Sequence, residues 1–137
     1  MPTIIDAKEW IFDQLVTAKT NSEITIGGEV YIDKKPTTGK EDIVVGALLM
    51  NSDFWQNAVL NVNCYVPDIE IRTDGKVVMM PDRTRLKVIA QDVYAVLKDQ
   101  TSDQTYRSYV EFTTQLEEID EQSHFMNFRI QMYAVNY

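Results

Sequence analysis

The chain has 137 residues, of which 45% are hydrophobic and 25% charged, values that are typical of one globular domain and argue against a disordered chain. It carries 13 Lys and Arg against 21 Asp and Glu, a net charge of −8, so its surface repels phosphate and argues against direct nucleic-acid binding. An acidic wall can still line a conduit for DNA, because like charge keeps the polymer from adhering, but a conduit requires an oligomer.

Two features of the sequence indicate in which cellular compartment the protein is made. The only cysteine, Cys64, cannot form an intramolecular disulfide and stands in an alternating apolar run, so we interpret it as a reduced core thiol. The first residues lack the basic start and apolar core of a signal peptide, and the longest apolar run, 43–50, is too short to span a bilayer. We therefore expect a soluble protein that is made inside a cell and does not bind membranes.

The N-terminal segment predicts an amphipathic helix followed by an interrupted strand. Thr3 and Asp6 have the spacing of a helix N-cap, and apolar residues then recur at helical intervals through about Lys19. Beyond the helix, Gly27-Gly28 divides an apolar segment, 24–32, which predicts a strand broken by a turn or bulge.

The middle of the chain predicts strands and a hairpin. A polar loop, 33–42, precedes an apolar strand over 43–50, and alternation over 58–66 predicts a third strand antiparallel to it. Asp74-Gly75 then stands between two short β-type runs within 69–79, which is a strong signal for a two-residue hairpin. We expect this hairpin to project from the main body.

The C-terminal half predicts a second helix and two further strands. The helix opens at Pro81-Asp82 and has an apolar stripe opposite a polar side. The stripe consists of Leu86, Ile89, Ala90, Val93 and Leu97. A polar break over 99–105 follows, after which alternation over 110–116 and 124–137 predicts two strands joined by an acidic tip.

These elements define a fold class. Their order is helix, three strands, helix, two strands (α-β-β-β-α-β-β), with the hairpin inserted before the second helix. Amphipathic helices segregated from a mostly antiparallel sheet need only one buried sheet face. We therefore predict a single α+β domain over residues 1–137, with both helices packed on one face of the sheet.

The sequence contains no recognisable catalytic, cofactor or metal motif. Gly39-Lys40 resembles part of a phosphate-binding loop, but Lys34 replaces the required earlier glycine and Glu41 replaces the required Ser or Thr. The only histidine, His124, has no nucleophile signature near it, so we interpret it as a strand-end residue with a satisfied hydrogen bond. We expect a protein that is not an enzyme and binds no cofactor or metal.

Three sets of residues are candidates for contact with partners. The lysines of the polar loop, Lys34, Lys35 and Lys40, would suit an acidic partner. Trp55 lies at a predicted turn, where an indole is difficult to bury, and tryptophan is enriched at interface hot spots. An acidic cluster marks the tip between the last two strands: Glu117, Glu118, Asp120 and Glu121. Its spacing does not match a calcium loop, which leaves a solvated tip or a patch that faces a partner.

Three segments stand out beside the order of elements: the run VLNVNCYVPD at 59–68, the helix RTRLKVIAQDVYAVLKD at 83–99 and the closing HFMNFRIQMYAV at 124–135. Together with that order, they resemble a bacteriophage tail terminator or tail-completion protein. The resemblance covers nearly the whole chain and depends on element order and size rather than on an invariant catalytic motif. It implies a structural virion protein that forms a ring, typically of six subunits, at the head-proximal end of the tail tube.

The resemblance also implies partners and a location. The ring would stop polymerisation of the tube protein and join the tail to the head-side connector, while DNA passes through its lumen without specific binding. It would lie at the head-tail junction of the virion after synthesis in the bacterial cytoplasm. A rotational ring uses one patch against a different patch of its neighbour.

Carried onto this chain, the resemblance makes the loop 33–42 a candidate for reaching the tube or the adjoining ring. The turn Asp74, Gly75 and Lys76 would be the end of a second projecting element. The acidic cluster would face the lumen or the connector. The hairpin is not diagnostic of the family, and this is where the chain departs from its pattern.

Two other interpretations remain open. One is another neck or head-completion protein of similar build. The other belongs to a different class: a small α+β binding module or enzyme whose pocket is assembled from scattered residues and leaves no motif.

Overall fold

The computed structural model describes residues 3–50, 55–102, 106–118 and 122–135. The helices are α1 (Ile4–Thr20) and α2 (Arg83–Leu97). The strands are β1 (Val30–Ile32), β2 (Asp42–Met50), β3 (Trp55–Pro67), β4 (Ile69–Thr73), β5 (Lys76–Met80), β6 (Asp99–Ser102), β7 (Tyr106–Glu118) and β8 (Ser123–Val135).

Six of the strands form one sheet in the order β1-β2-β3-β8-β7-β6, while β4 and β5 form a separate two-stranded sheet. Every neighbouring pair is antiparallel except β1 and β2, which run parallel. The buried residues of both helices belong to the same core as the buried residues of β3 and β8. The predicted α+β class, with two helices on one face of a mostly antiparallel sheet, is confirmed.

Local sequence signals set where each helix begins. Thr3 is the N-cap of α1: its hydroxyl accepts a hydrogen bond from the Asp6 backbone N–H at 3.2 Å, and its own N–H donates to the Asp6 carboxylate at 2.7 Å. This reciprocal pair satisfies two amide groups that otherwise have no partner inside the helix. Asp82 caps α2 by accepting from the Arg85 N–H at 3.2 Å. Both predicted helix starts are confirmed.

The core lies between the helices and the two central strands. Its largest fully buried side chains include Ile11 and Leu15 of α1, Ile89 of α2, Leu60 of β3 and Phe128 of β8. In β3 and β8 the buried positions alternate, as the period-two pattern predicts, because successive side chains of a strand point to opposite faces of the sheet. Cys64 is buried in the same core, which confirms its interpretation as a core residue.

The prediction for the segment 24–32 is only partly correct, because a strand forms only at β1. Ile24 and Ile26 are buried in the core without entering a strand. The backbone that follows is bound by a loop instead of a strand: the Gly28 N–H donates to the carbonyl oxygen of Glu41 at 2.9 Å. A close contact between residues 28 and 41 therefore takes the place of the hydrogen-bond ladder that a strand would form here.

Two features of the C-terminal half differ from the sequence prediction. The polar segment expected to be irregular forms β6, which pairs with β7 at the edge of the sheet. Within β7, the register with β8 shifts between Val110 and Phe112. After this bulge Thr113 pairs with Phe128, so the alternation along β7 changes its phase.

Candidate assembly surface

The hairpin formed by β4 and β5 is the most exposed apolar element of the described chain. Its turn consists of Asp74 and Gly75, with φ angles of 52° and 74°. Positive φ at both central residues is the requirement of a type I′ turn, the connection whose twist matches two antiparallel strands. The hairpin predicted from Asp74-Gly75 is confirmed, and Lys76 begins its second strand.

One face of this hairpin is apolar over most of its length. Ile69 pairs with Met80, and Ile71 pairs with Val78, so these four side chains lie on the same face. Each is between 36% and 44% exposed. We call these four residues the apolar hairpin face.

The opposite face has a different character. Glu70 pairs with Met79, and Arg72 pairs with Val77. The Arg72 guanidinium lies 3.9 Å from the Glu70 carboxylate, an exposed pair of the kind that contributes little to stability. This face is mixed, since Val77 and Met79 on it are apolar and 54% and 39% exposed, and all ten residues of the two strands are exposed.

The base of the hairpin is tied to the main sheet. Asp68, between β3 and β4, has a side chain only 6% exposed, and its Oδ1 lies 2.7 Å from Nδ1 of His124. The Asp68 backbone N–H also donates to the carbonyl oxygen of Gln122 at 2.9 Å. His124 is therefore a strand-end residue with a hydrogen-bonding partner, as predicted, and it fixes the point from which the hairpin leaves the sheet.

A groove of about 560 Å³ lies between α2 and the strands β7 and β8. Its apolar lining comes from α2 and β8 and consists of Leu86, Ala90, Tyr94, Met126 and Phe128. Thr113 and Gln115 of β7 also line it, and Arg83, Lys87 and Gln91 of α2 complete it. Tyr94 is 48% exposed. The groove exists because α2 covers the middle of the sheet and leaves part of β7 open.

The sequence analysis did not identify this groove. Alternation from Val110 predicts one set of residues on the helix side of β7, but the bulge brings Thr113 and Gln115 there instead. No signal in the residue pattern locates such a bulge. The exposure of Tyr94 that marks this groove as a candidate interaction site is likewise visible only in the structure.

The polar loop 33–42 is folded against a buried carboxylate. The Oδ1 atom of Asp42 accepts from the Glu29 N–H at 3.0 Å, and its Oδ2 accepts from the Thr38 hydroxyl at 2.5 Å. The Lys35 ammonium lies 3.9 Å from Asp42 Oδ2 and 4.8 Å from the centre of the Tyr65 ring.

Among the three lysines proposed to contact a partner, Lys34 and Lys40 are exposed. Lys35 is turned inward, with 9% of its side chain exposed. Lys34 and Lys40 are therefore the two that a partner can reach directly.

Arg85 connects the second helix to the same loop. Its guanidinium donates to both carboxylate oxygens of Glu41, at 2.7 and 2.8 Å, and to the carbonyl oxygen of Thr25 at 3.0 Å. The hydrogen bond to Glu41 raises the pKa of Arg85. This bidentate geometry fixes the start of α2 relative to the loop.

The structure describes the proposed acidic tip only in part. Glu117 is exposed near the end of β7 and pairs with His124 across the strands. Glu118 ends β7, and its side chain lies outside the described part, as do Asp120 and Glu121 altogether. Trp55 begins β3, and its side chain likewise lies outside the described part.

The sheet face opposite the helices carries amides. The Asn127 side chain donates to the Oδ1 atoms of Asn61 and Asn63, at 3.2 and 2.6 Å. Nearby, Gln131 donates to Glu111 at 2.8 Å. By register, Arg107 and Arg129 lie on the same face, so this face is polar and carries both basic and acidic groups.

Among the residues that the structure describes, no group of three or more His, Cys, Asp or Glu side chains is placed to hold a metal ion. No helix in the described ranges is long and apolar enough to cross a membrane. Burial raises the pKa of the Cys64 thiol and keeps it protonated.

No protein-family model matches the chain, and no curated protein sequence matches it significantly. Its function must therefore be inferred from its own residues and their arrangement.

Proposed function

We propose that the chain is a structural subunit of a bacteriophage tail terminator, which assembles as a ring at the head-proximal end of the tail tube. The ring stops polymerisation of the tube, contacts the head-side connector and lets DNA pass through its lumen. The resemblance in element order first suggests this role, and the α+β architecture is compatible with it.

The observation that carries the proposal is the exposed apolar surface of the hairpin of β4 and β5. An isolated two-stranded hairpin is marginally stable in water, and one that exposes Ile69, Ile71, Val78 and Met80 leaves apolar surface without cover. Exposed apolar patches of this kind mark protein interaction sites. A subunit that assembles with other chains accounts for such a surface better than a monomer does.

The charge of the chain supports the same function. A lumen that conducts DNA must not bind it, and a net charge of −8 gives the repulsion that such a channel needs. The exposed Glu117 adds to the acidic surface on which a phosphate backbone would find little attraction.

The test of this proposal is to sequence the DNA on both sides of the reading frame and translate the neighbouring frames. We expect a downstream frame for a tail-tube protein, followed by a very long, helix-rich frame of the tape-measure kind. Metabolic or regulatory neighbours would contradict the proposal. A neighbourhood of head-completion frames without a tube frame would favour another neck protein of similar build.

In a virus that carries this gene, the acidic tip provides a second test. Reversing the charge of Glu117, Glu118, Asp120 and Glu121 should impair assembly or DNA passage if these residues face the lumen or the connector. Unchanged infectivity would remove the acidic tip from the proposal and leave the ring itself untouched.

A ligand-binding module is the second candidate, and one observation favours it. The groove of about 560 Å³ lies within the range of small-molecule sites, roughly 300–1,000 Å³. A ligand that binds the folded state raises the melting temperature. A thermal-shift screen of small metabolites would support this candidate if one compound stabilises the protein and the effect is lost in the variant Ala90→Trp, which fills the groove.

A further inference from the structure

We propose that a small pocket between the loop 33–42, the end of β3 and the start of β8 binds one small anion, either a halide-sized ion or a single carboxylate group. The site does not depend on the proposed function, because it is built from side chains of one copy. It lies under the loop whose lysines the sequence marks as suited to an acidic partner.

The pocket lies on the sheet face opposite the helices. Tyr65 and Pro67 line it, and they alternate along β3 with residues of the core on the helix side. Ser123 pairs with Pro67 across β3 and β8 and lines the pocket beside it. The loop supplies the remaining lining residues, Lys35, Thr37, Gly39 and Lys40. The loop therefore covers this end of the sheet and encloses a space above Ser123.

The Ser123 hydroxyl indicates that the pocket holds a ligand. Ser123 is only 5% exposed, and its Oγ atom has no hydrogen-bonding partner among the described residues. Buried polar groups are nearly always hydrogen-bonded, because an unpaired group has lost its contact with water without compensation. A ligand in the pocket that accepts the hydroxyl hydrogen would supply the missing bond.

The charges around the pocket select an anion. Of the described residues that line it, Lys35 and Lys40 carry charge, and both are basic. The Lys35 side chain is 9% exposed and its ammonium lies 4.8 Å from the centre of the Tyr65 ring, so water screens its charge only in part. Asp42 Oδ2 lies 3.9 Å from that ammonium, which is longer than a hydrogen bond, and it accepts from the Thr38 hydroxyl. One carboxylate therefore offsets only part of the charge of two lysines.

The size of the pocket limits the anion. Its volume is about 20 Å³, and a single water molecule needs roughly 10–15 Å³. A halide ion or the end of a carboxylate group fits such a space, whereas the four oxygens of a sulfate or phosphate ion do not. A water molecule also fits, but it gains less than an anion does from two ammonium groups. Glu118 is the cross-strand partner of Ser123, and its negative charge keeps the affinity for an anion modest.

The test is a titration of the isotope-labelled full chain, followed by nuclear magnetic resonance of the backbone N–H groups of Gly39, Lys40 and Ser123. Sodium bromide and sodium formate are the probes. Sodium sulfate at the same ionic strength is the control, because its double charge favours contact with exposed lysines while its size excludes it from the pocket. We expect saturable shifts with bromide and formate and none of that size with sulfate.

The two probes also distinguish the source of the anion. A lower dissociation constant for formate assigns the pocket to a carboxylate group, such as an acidic side chain of a partner. A lower constant for bromide assigns it to a free monatomic ion.

Two pairs of variants locate the binding on the proposed ligands. Ser123→Ala should weaken bromide binding about tenfold, whereas Ser108→Ala should leave it unchanged. Ser108 is the matched control, because its hydroxyl is also buried without a partner in the described chain but does not line the pocket. Lys40→Met should weaken binding about two- to threefold. Lys34→Met, which changes an exposed lysine of the same loop outside the pocket, should not.

Two results would overturn the inference. Equal shifts with sulfate and bromide would mean that the salts act only on exposed lysines. Bromide binding as tight in Ser123→Ala as in the wild type would mean that the hydroxyl is not a ligand of the anion. Neither result would affect the proposed tail-terminator function, which the neighbouring genes test separately.

Discussion

The substitution Gly28→Ala should destabilise the protein strongly, although it adds only one methyl group. A Cβ at this position would overlap the carboxylate of Asp42 and lie 2.5 Å from the carbonyl oxygen of Glu41. The Glu41 carbonyl oxygen belongs to the backbone, which cannot rotate away as a side chain can. The loop must therefore move, and it takes with it the buried carboxylate that organises it.

The size of the effect follows from the contacts that would be lost. The hydrogen bond from the Glu29 N–H to Asp42 at 3.0 Å involves a charged group, and such bonds contribute about 1.5–3 kcal/mol. Overpacking of a filled site costs about 1–3 kcal/mol more, while alanine recovers about 0.4–1 kcal/mol by restricting the unfolded chain. We expect a net loss of about 2–4 kcal/mol, which lowers the melting temperature by roughly 6–12 °C.

Gly27→Ala is the matched control, because a Cβ one residue earlier would have nothing within 4 Å. This variant should be as stable as the wild type or more stable by up to about 1 kcal/mol. Urea unfolding followed by circular dichroism measures both variants under one set of conditions. Equal stability of the two variants would refute the account of the loop, since it would mean that Gly28 and Asp42 are not in close contact.

Three further predictions concern stability and reactivity. Arg85→Met removes the bidentate pair with Glu41 and should cost about 1–3 kcal/mol in urea unfolding; an unchanged midpoint would show that the pair does not hold the helix. Cys64 should react with a thiol reagent only as fast as the protein unfolds, because burial raises the pKa of its thiol; fast reaction of the folded protein would contradict its burial. Thr3→Ala should cost about 1 kcal/mol at neutral pH. The backbone N–H and the hydroxyl of Thr3 both lower the pKa of Asp6, and alanine removes only the hydroxyl. The part of the difference that comes from the hydrogen bond between the Thr3 hydroxyl and the Asp6 carboxylate is therefore present above the ordinary carboxylate pKa and is lost as the pH falls through the lowered value, while the part from the N-cap bond to the Asp6 N–H remains. A difference in stability that does not shrink at acidic pH would exclude the hydroxyl–carboxylate bond as a contributor.

The elements that could be predicted are those with a strong local signal. The final strand alternates cleanly, Asp74-Gly75 defines its own turn, and the capping box at Thr3 fixes the first helix. In contrast, Ile24 and Ile26 have the apolar spacing of a strand but are buried without one, because tertiary contacts bind the backbone that follows. The short edge strand β6 has a polar sequence, so its pairing depends on β7 rather than on its own residues.

The candidate assembly surface likewise has one part that the sequence predicts and one that it does not. The hairpin could be predicted, because its turn and its alternation are local. Its apolar face also follows from the sequence once the register is known. The groove could not be predicted, since it depends on a bulge in β7 and on where α2 crosses the sheet. The inward position of Lys35 likewise depends on the buried Asp42, whose role is visible only after the loop has folded.

The most direct measurement of the central claim is electron microscopy of tail tubes polymerised from the tube protein encoded beside this chain, with and without the chain present. The account predicts tubes that carry a ring at one end and stop growing, and bare, longer tubes when Val78→Asp replaces the wild type while Val77→Asp still forms the ring. Bare tube ends and unchanged tube lengths in the presence of the wild-type protein would contradict it.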